Sequence, residues 1–143
     1  VTNSASIKAE IVSRDEREGG ERALLNLGHT FAHAMEPMPE LGLLHGEAVS
    51  IGLVAAASCA KSLGMVSEDF VERTKEVLLQ LGLPIRMNTE LPTSDFIAMM
   101  RLDKKNQDDR IRLVLPSGET GAVLAENVDL SAISLALEAV GAC

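Results

Sequence analysis

Aromatic side chains are nearly absent from this sequence, although apolar residues are abundant. Hydrophobic residues make up 46% of the 143 positions, yet the chain has three Phe and no Trp or Tyr. A core must therefore be built from Leu, Ala, Val, Ile and Met, a set better suited to helices than to a sandwich or barrel. A chain of this length can fold as one domain without disulfides. The composition thus predicts one mainly helical domain over residues 1–143.

Glycine, proline and capping residues divide the chain into elements. A first helix is predicted from Lys8 to about Glu36, weakened at a glycine pair and ended by Pro37. Further helices are predicted over 45–63, 67–81, 95–102 and 130–140. The hydrophobic period changes to two over 110–115 and 121–125, on either side of a turn, which indicates a small hairpin. The predicted fold class is mainly α, a multi-helix domain with one β-hairpin.

Charge and apolar patterning exclude several classes of function. The net charge is −8, which argues against a nucleic-acid surface because phosphate backbones require clustered Lys and Arg. The apolar run over 48–60 is shorter than the roughly 20 residues of a bilayer span, so a buried helix is expected there. Cys59 is predicted to be a core residue and Cys143 a tail residue. We expect a processed or truncated cytoplasmic protein, because Val1 replaces Met and no secretory signal follows it.

Polar side chains recur along one line of the first predicted helix. At about 100° per residue, five of them fall within roughly 40° of that line. They are Arg22, Asn26, His29, His33 and Glu36. The opposite side is apolar, as in a helix that packs one face and lines a cleft with the other.

Two of the three histidines, His29 and His33, are four positions apart on this line, and His45 opens the next predicted helix. A solvated face is the ordinary explanation of a polar line, and a single histidine would not overturn it. Three histidines gathered with Arg and Asn favour a functional site. Imidazole binds zinc well, and catalytic zinc commonly has three protein ligands. Spacing alone suggests His29 and His33 as a pair, with His45 or Glu36 as the third ligand.

Longer segments of the sequence resemble one enzyme family. The segment DEREGGERALLNLGHTFAH at 15–33 is followed by LHGEAV at 44–49 and by DKK at 103–105. These segments resemble 3-dehydroquinate synthase, and the resemblance covers essentially the whole chain. It implies the C-terminal metal- and substrate-binding domain of the dehydroquinate synthase-like fold, with the N-terminal NAD-binding domain absent from this chain.

The resemblance also implies an activity. The family uses NAD and a divalent metal, usually zinc, to convert 3-deoxy-D-arabino-heptulosonate 7-phosphate into 3-dehydroquinate and phosphate. This lyase reaction belongs to the shikimate pathway of aromatic amino acid biosynthesis. A cytoplasmic homodimer acting on a small anionic sugar phosphate is therefore expected, without nucleic-acid or membrane partners.

Site residues follow from the resemblance by position. His29 and His45 resemble the two histidine metal ligands, whereas His33 resembles a catalytic histidine on the substrate side. The other residues implied are one of Lys104 and Lys105 beside the substrate, and the substrate-side residues Lys8, Glu18, Arg22 and Asn26. The third metal ligand of the family is a glutamate upstream of this chain, and no NAD-binding residue is expected within it. Ala32 stands where the family usually has Gly.

Two other functions remain as alternatives. A different sugar phosphate cyclase would share the metal histidines, although Arg22 and Asn26 suit a substrate that carries a carboxylate. A non-catalytic helical interaction module would retain the histidines and use Met87, Met99 and Met100 to line a partner groove.

Overall fold

Five helices and one two-stranded antiparallel sheet make up the described part of the chain. The computed structural model describes residues 27–102, 111–118, 121–125 and 128–143. The elements are α1 (His29–Met35), α2 (His45–Ser62), α3 (Glu68–Gln80), α4 (Thr93–Leu102), β1 (Leu113–Ser117), β2 (Gly121–Ala125) and α5 (Leu130–Ala139). The predicted fold class, mainly α with one β-hairpin, is confirmed.

Helix α2 lies at the centre of the fold. It packs against α1, α3, α5 and β1. Its buried positions are mostly small residues, including Ala55, Ala56 and Ala60, and small side chains let neighbouring backbones approach closely. This confirms the buried helix predicted from the apolar run. No helix among the described residues is both long enough and apolar enough to cross a membrane.

The core around α2 uses the few aromatic residues together with aliphatic ones and methionines. Phe31 of α1 and Phe96 of α4 are fully buried. Met87 and Met100 are also buried, and Met99 packs against the same cluster. These three methionines therefore belong to the core, and the partner groove that the interaction-module hypothesis gave them is wrong.

The helix boundaries after α1 follow the capping residues of the sequence. The Ser67 side chain accepts a hydrogen bond from the backbone N–H of Phe70 at 3.2 Å and caps α3. The Asp129 side chain accepts one from the N–H of Ser131 at 3.4 Å and caps α5. Gly64, just after α2, has a positive φ of 76°, a conformation that glycine adopts without strain and that ends helices.

The first predicted helix needs a correction at Gly28. This residue has left-handed backbone geometry, with φ +79°, and α1 begins only after it, at His29. A right-handed helix does not continue through such a residue, so the prediction of one helix over 8–36 is wrong at this point. The helical line that joined Arg22 and Asn26 to His29 therefore does not extend across the turn.

The hairpin lies beside α2, with β1 on the inside. Leu113 of β1 pairs with Ala125 of β2 at one end of the antiparallel register. Leu113 and Leu115 are buried, whereas β2 is more exposed. The strand starts later than predicted and includes Pro116. Among the described residues the sheet has only these two strands, so both are edge strands. Proline, which has no backbone N–H to donate, is tolerated in an edge strand.

Candidate functional site

Helix α1 presents two histidines on one side and packs the other side into the core. His29 and His33 are one turn apart, and their rings meet edge to face with centroids 5.9 Å apart and planes at 77°. Phe31, Ala34 and Met35 are buried on the packed side. His33 is exposed, whereas the Nδ1 atom of His29 is buried. His29 is thus the deeper histidine and His33 the one closer to solvent.

The third histidine reaches the same place from α2. His45 is the first residue of that helix, and its ring centroid lies 6.0 Å from that of His29, with the planes inclined at 50°. Glu47 stabilises the start of α2, because its Oε1 atom accepts a hydrogen bond from the backbone N–H of Leu44 at 2.9 Å. The structure therefore brings together all three histidines that the sequence indicated, around His29.

A close crossing of α1 and α2 makes this meeting possible. The turn before α1 lies against the middle of α2, and a Cβ atom on Gly28 would be 2.8 Å from the backbone nitrogen of Leu53. Ala32, the residue at which the sequence departs from the family pattern, is fully buried in the core at this crossing. Its extra methyl group is therefore accommodated by packing.

Glu36 contacts the ring of His45. Its Oε1 atom makes a hydrogen bond with His45 Nδ1. Glu36 is the C-terminal cap of α1, so the contact joins the end of one helix to the start of the next. Helical periodicity does not predict this pairing, because the two residues are nine positions apart across a proline-containing loop. The available signals were the place of Glu36 on the polar line with the histidines and its position at the end of α1.

The ring separations of His29 from His33, 5.9 Å, and from His45, 6.0 Å, both fit a shared metal ion, and the sequence resemblance selects His45. Two imidazoles bound to one zinc through Zn–N bonds of roughly 2.0–2.1 Å have ring centroids about 5 to 6 Å apart. The separation of His29 and His45 is 6.0 Å. Within the described ranges, no group of three or more His, Cys, Asp or Glu side chains is placed to hold a metal. Glu36, the alternative third ligand suggested by spacing, contacts His45.

The remaining predicted site residues lie outside the described part of the chain. This applies to Lys8, Glu18, Arg22, Asn26, Lys104 and Lys105. Their roles remain predictions from the sequence resemblance.

Comparison with known proteins assigns the family. A family model for the 3-dehydroquinate synthase C-terminal domain matches residues 1–106. The chain belongs to the 3-dehydroquinate synthase family.

Curated 3-dehydroquinate synthases match nearly the whole chain. The relative from Acidithiobacillus ferrooxidans is 43% identical over 140 residues, which are 97% of this chain and 38% of that protein. The relative from Acinetobacter baumannii is 44% identical over 138 residues, 96% of this chain and 38% of that protein. The chain thus spans well under half the length of the relatives that it matches.

Solved structures of related cyclases share the fold. A 2-epi-5-epi-valiolone synthase from Streptomyces hygroscopicus, with NAD+ and Zn2+ bound, is 28% identical with a TM-score of 0.70, over 82% of this chain and 32% of that one. A 2-deoxy-scyllo-inosose synthase complexed with carbaglucose-6-phosphate, NAD+ and Co2+ has a TM-score of 0.72 over 88% of this chain and 36% of that one. At 21% identity, the second likeness shows the fold alone.

Proposed function

We propose that this chain forms the metal- and substrate-binding part of a 3-dehydroquinate synthase, which converts 3-deoxy-D-arabino-heptulosonate 7-phosphate into 3-dehydroquinate and phosphate. The observation that carries the proposal is the 6.0 Å approach of the His29 and His45 rings from two different helices. The 43–44% identity to curated 3-dehydroquinate synthases supports this substrate. The reaction would place the protein in the shikimate pathway, in the cytoplasm.

The three histidines have different proposed roles. His29 and His45 would hold a divalent metal, with zinc as the expected ion. When bound, the metal would polarise a substrate oxygen, and NAD would take up and return a hydride. His33 is exposed and lies one turn from His29, so it would exchange protons with the substrate as a general acid or base.

Basic residues are proposed to hold the anionic groups of the substrate. A chain with a net charge of −8 needs a local concentration of cations to bind a sugar phosphate that also carries a carboxylate. Arg22 suits an oxyanion because guanidinium donates two parallel hydrogen bonds. The other residues proposed for substrate contact or its support are Lys8, Glu18, Asn26, Lys104 and Lys105.

The rest of the active site is proposed to lie in the part of the relatives that this chain does not match. NAD binding and the third metal ligand, a glutamate, would come from there, and the full enzyme would be a homodimer. The 143-residue chain alone is therefore expected to be inactive.

A chimeric enzyme tests the proposal. This chain would replace the matching 140-residue region of the Acidithiobacillus ferrooxidans relative, and phosphate release from the heptulosonate phosphate would be measured with NAD and zinc supplied. We expect activity in the chimera, background release from the 143-residue chain alone, and loss of activity in a His45→Ala chimera. NAD titration of each chimera checks that the nucleotide-binding part is folded.

The same experiment addresses the alternative of another sugar phosphate cyclase, which the fold shared with the valiolone synthase raises. A chimera that binds NAD and zinc, leaves the heptulosonate phosphate intact and cyclises another sugar phosphate would contradict the proposed substrate.

A further inference from the structure

The loop between α1 and α2 holds a carboxylate against one metal-site histidine. Glu36 ends α1 and His45 begins α2, and Glu36 Oε1 contacts His45 Nδ1. The His45 side chain is 61% exposed and that of Glu36 31% exposed. An exposed imidazole on the first residue of a helix has little packing to fix its orientation, so this contact is a main constraint on the ring.

The contact also determines which ring nitrogen carries the proton. An ionised carboxylate accepts hydrogen bonds and cannot donate them. With the carboxylate ionised and the ring neutral, the Nδ1 atom that contacts Glu36 carries the hydrogen, which leaves the lone pair on Nε2. A metal binds through a lone pair, so Nε2 is the available ligand atom.

The loop that carries this contact is anchored to the rest of the domain. Leu41, in the middle of the loop, is buried, and its carbonyl oxygen accepts a hydrogen bond from the side-chain amide of Asn88 at 3.5 Å. The backbone carbonyl oxygen of Glu40 accepts a hydrogen bond from the Thr89 hydroxyl at 3.5 Å. Glu36 is thus presented from a loop with its own tertiary contacts.

We propose that Glu36 is a positioning residue for His45: its carboxylate fixes the Nδ1–H tautomer and the ring orientation, which directs Nε2 to a metal shared with His29. This inference rests on the proposed metal site and adds a residue that does not touch the metal. Carboxylates that accept the second N–H of a metal-bound histidine typically contribute 10- to 100-fold in metal affinity.

Nitrogen NMR of the metal-free chain tests the tautomer. Long-range proton–nitrogen correlations in the 15N-labelled chain, recorded at a pH high enough that the ring is neutral, should show His45 protonated at Nδ1. In Glu36→Ala the ring should change to the Nε2–H form that unconstrained imidazoles favour. In Glu40→Ala, which removes an exposed carboxylate from the same loop, the His45 tautomer should be unchanged. An Nε2–H tautomer in the unmodified chain, or one insensitive to Glu36→Ala, overturns the proposal.

Zinc titration by calorimetry supplies the second readout. Glu36→Ala should lower zinc affinity by about 10-fold or more, while Glu40→Ala leaves it unchanged. Glu36→Gln keeps the size of the side chain and a neutral acceptor, so a partial loss of zinc affinity is expected. This variant replaces Glu36→Ala if Glu36→Ala does not fold. Full affinity in both Glu36 variants overturns the positioning role.

The two proposals fail in different ways. If His45→Ala leaves zinc affinity unchanged, the metal site itself is wrong, and the tautomer in the metal-free chain still reports whether Glu36 controls His45. If His45→Ala loses zinc while Glu36→Ala retains both affinity and tautomer, only the role of Glu36 is wrong.

Discussion

The backbone of Gly52 in α2 lies directly against the carbonyl group of Gly28 in the turn before α1. A Cβ atom built on Gly52 would be 2.2 Å from the Gly28 carbonyl oxygen and 3.2 Å from the Ala32 nitrogen. Both obstructing groups are backbone, so neither can rotate away. The approach of the two helices, and with it the meeting of His29 and His45, therefore depends on a residue without a side chain at position 52.

We predict that Gly52→Ala destabilises the domain by about 3 kcal/mol or more, because the added methyl group forces α1 and α2 apart. The matched control is Gly46→Ala on the same helix, where a Cβ would meet nothing within 4 Å. That change should be neutral or stabilising by up to about 1 kcal/mol, since Ala favours helix over Gly. Urea unfolding measures both, and equal stability of the two variants would contradict the crossing.

Ser50 is predicted to stabilise the packing of α2 against the segment after α3. Its side chain is buried, and its hydroxyl donates to the carbonyl oxygen of Pro84 at 2.6 Å. Ser50→Ala removes that hydrogen bond and leaves a carbonyl without its partner, so a loss of about 1–3 kcal/mol in the free energy of unfolding is expected. Ser62→Ala on the exposed end of α2 should change it by no more than about 0.5 kcal/mol. Indistinguishable denaturation midpoints for the two variants would refute this role.

The two cysteines should differ in reactivity. Cys59 is fully buried in α2, and burial raises the pKa of its thiol from 9.0 to about 11, whereas Cys143 is exposed. The thiolate is the reactive form, so at pH 8 a colorimetric thiol reagent should modify one cysteine per native chain and two in denaturant. Cys143→Ser should remove the fast reaction. Two rapidly reacting thiols in the folded chain would show that Cys59 is accessible.

Sequence reasoning located the elements well where local chemistry determines them. Ser67 and Asp129 cap the helices predicted over 67–81 and 130–140, because a side-chain oxygen near a free backbone N–H acts locally. The break at Gly28 was missed, since a polar period of three and four continues through it in the sequence. Gly28 has left-handed geometry where it contacts Gly52, a tertiary contact that the period of the sequence does not contain.

In the candidate site too, the local features could be predicted from the sequence and the tertiary contacts could not. The three histidines were found from their number and spacing, and spacing alone favoured His29 with His33. The proximity of His45 to His29 depends on the path of the loop between α1 and α2, which no periodicity specifies. The family resemblance anticipated that pairing because it carries three-dimensional information.

Substrate binding in the chimeric enzyme should depend on whether the cation at position 22 is a planar guanidinium or an ammonium group. We predict that Arg22→Lys raises KM more than it lowers kcat, because Lys offers a single charge where the planar guanidinium offers two donors. Asn26→Ala should act in the same direction. Steady-state kinetics of the chimera at several heptulosonate phosphate concentrations measure both constants, and unchanged values would remove Arg22 from the site.

We propose that His29 and His45 bind one divalent metal, and zinc titration of the 143-residue chain and its three single histidine variants measures this most directly. With two ligands of the proposed three, binding should be weak in the unmodified chain. His29→Ala and His45→Ala should each abolish it, whereas His33→Ala should retain it. Loss of binding in His33→Ala together with full binding in His45→Ala would contradict the account and assign the metal to His29 and His33.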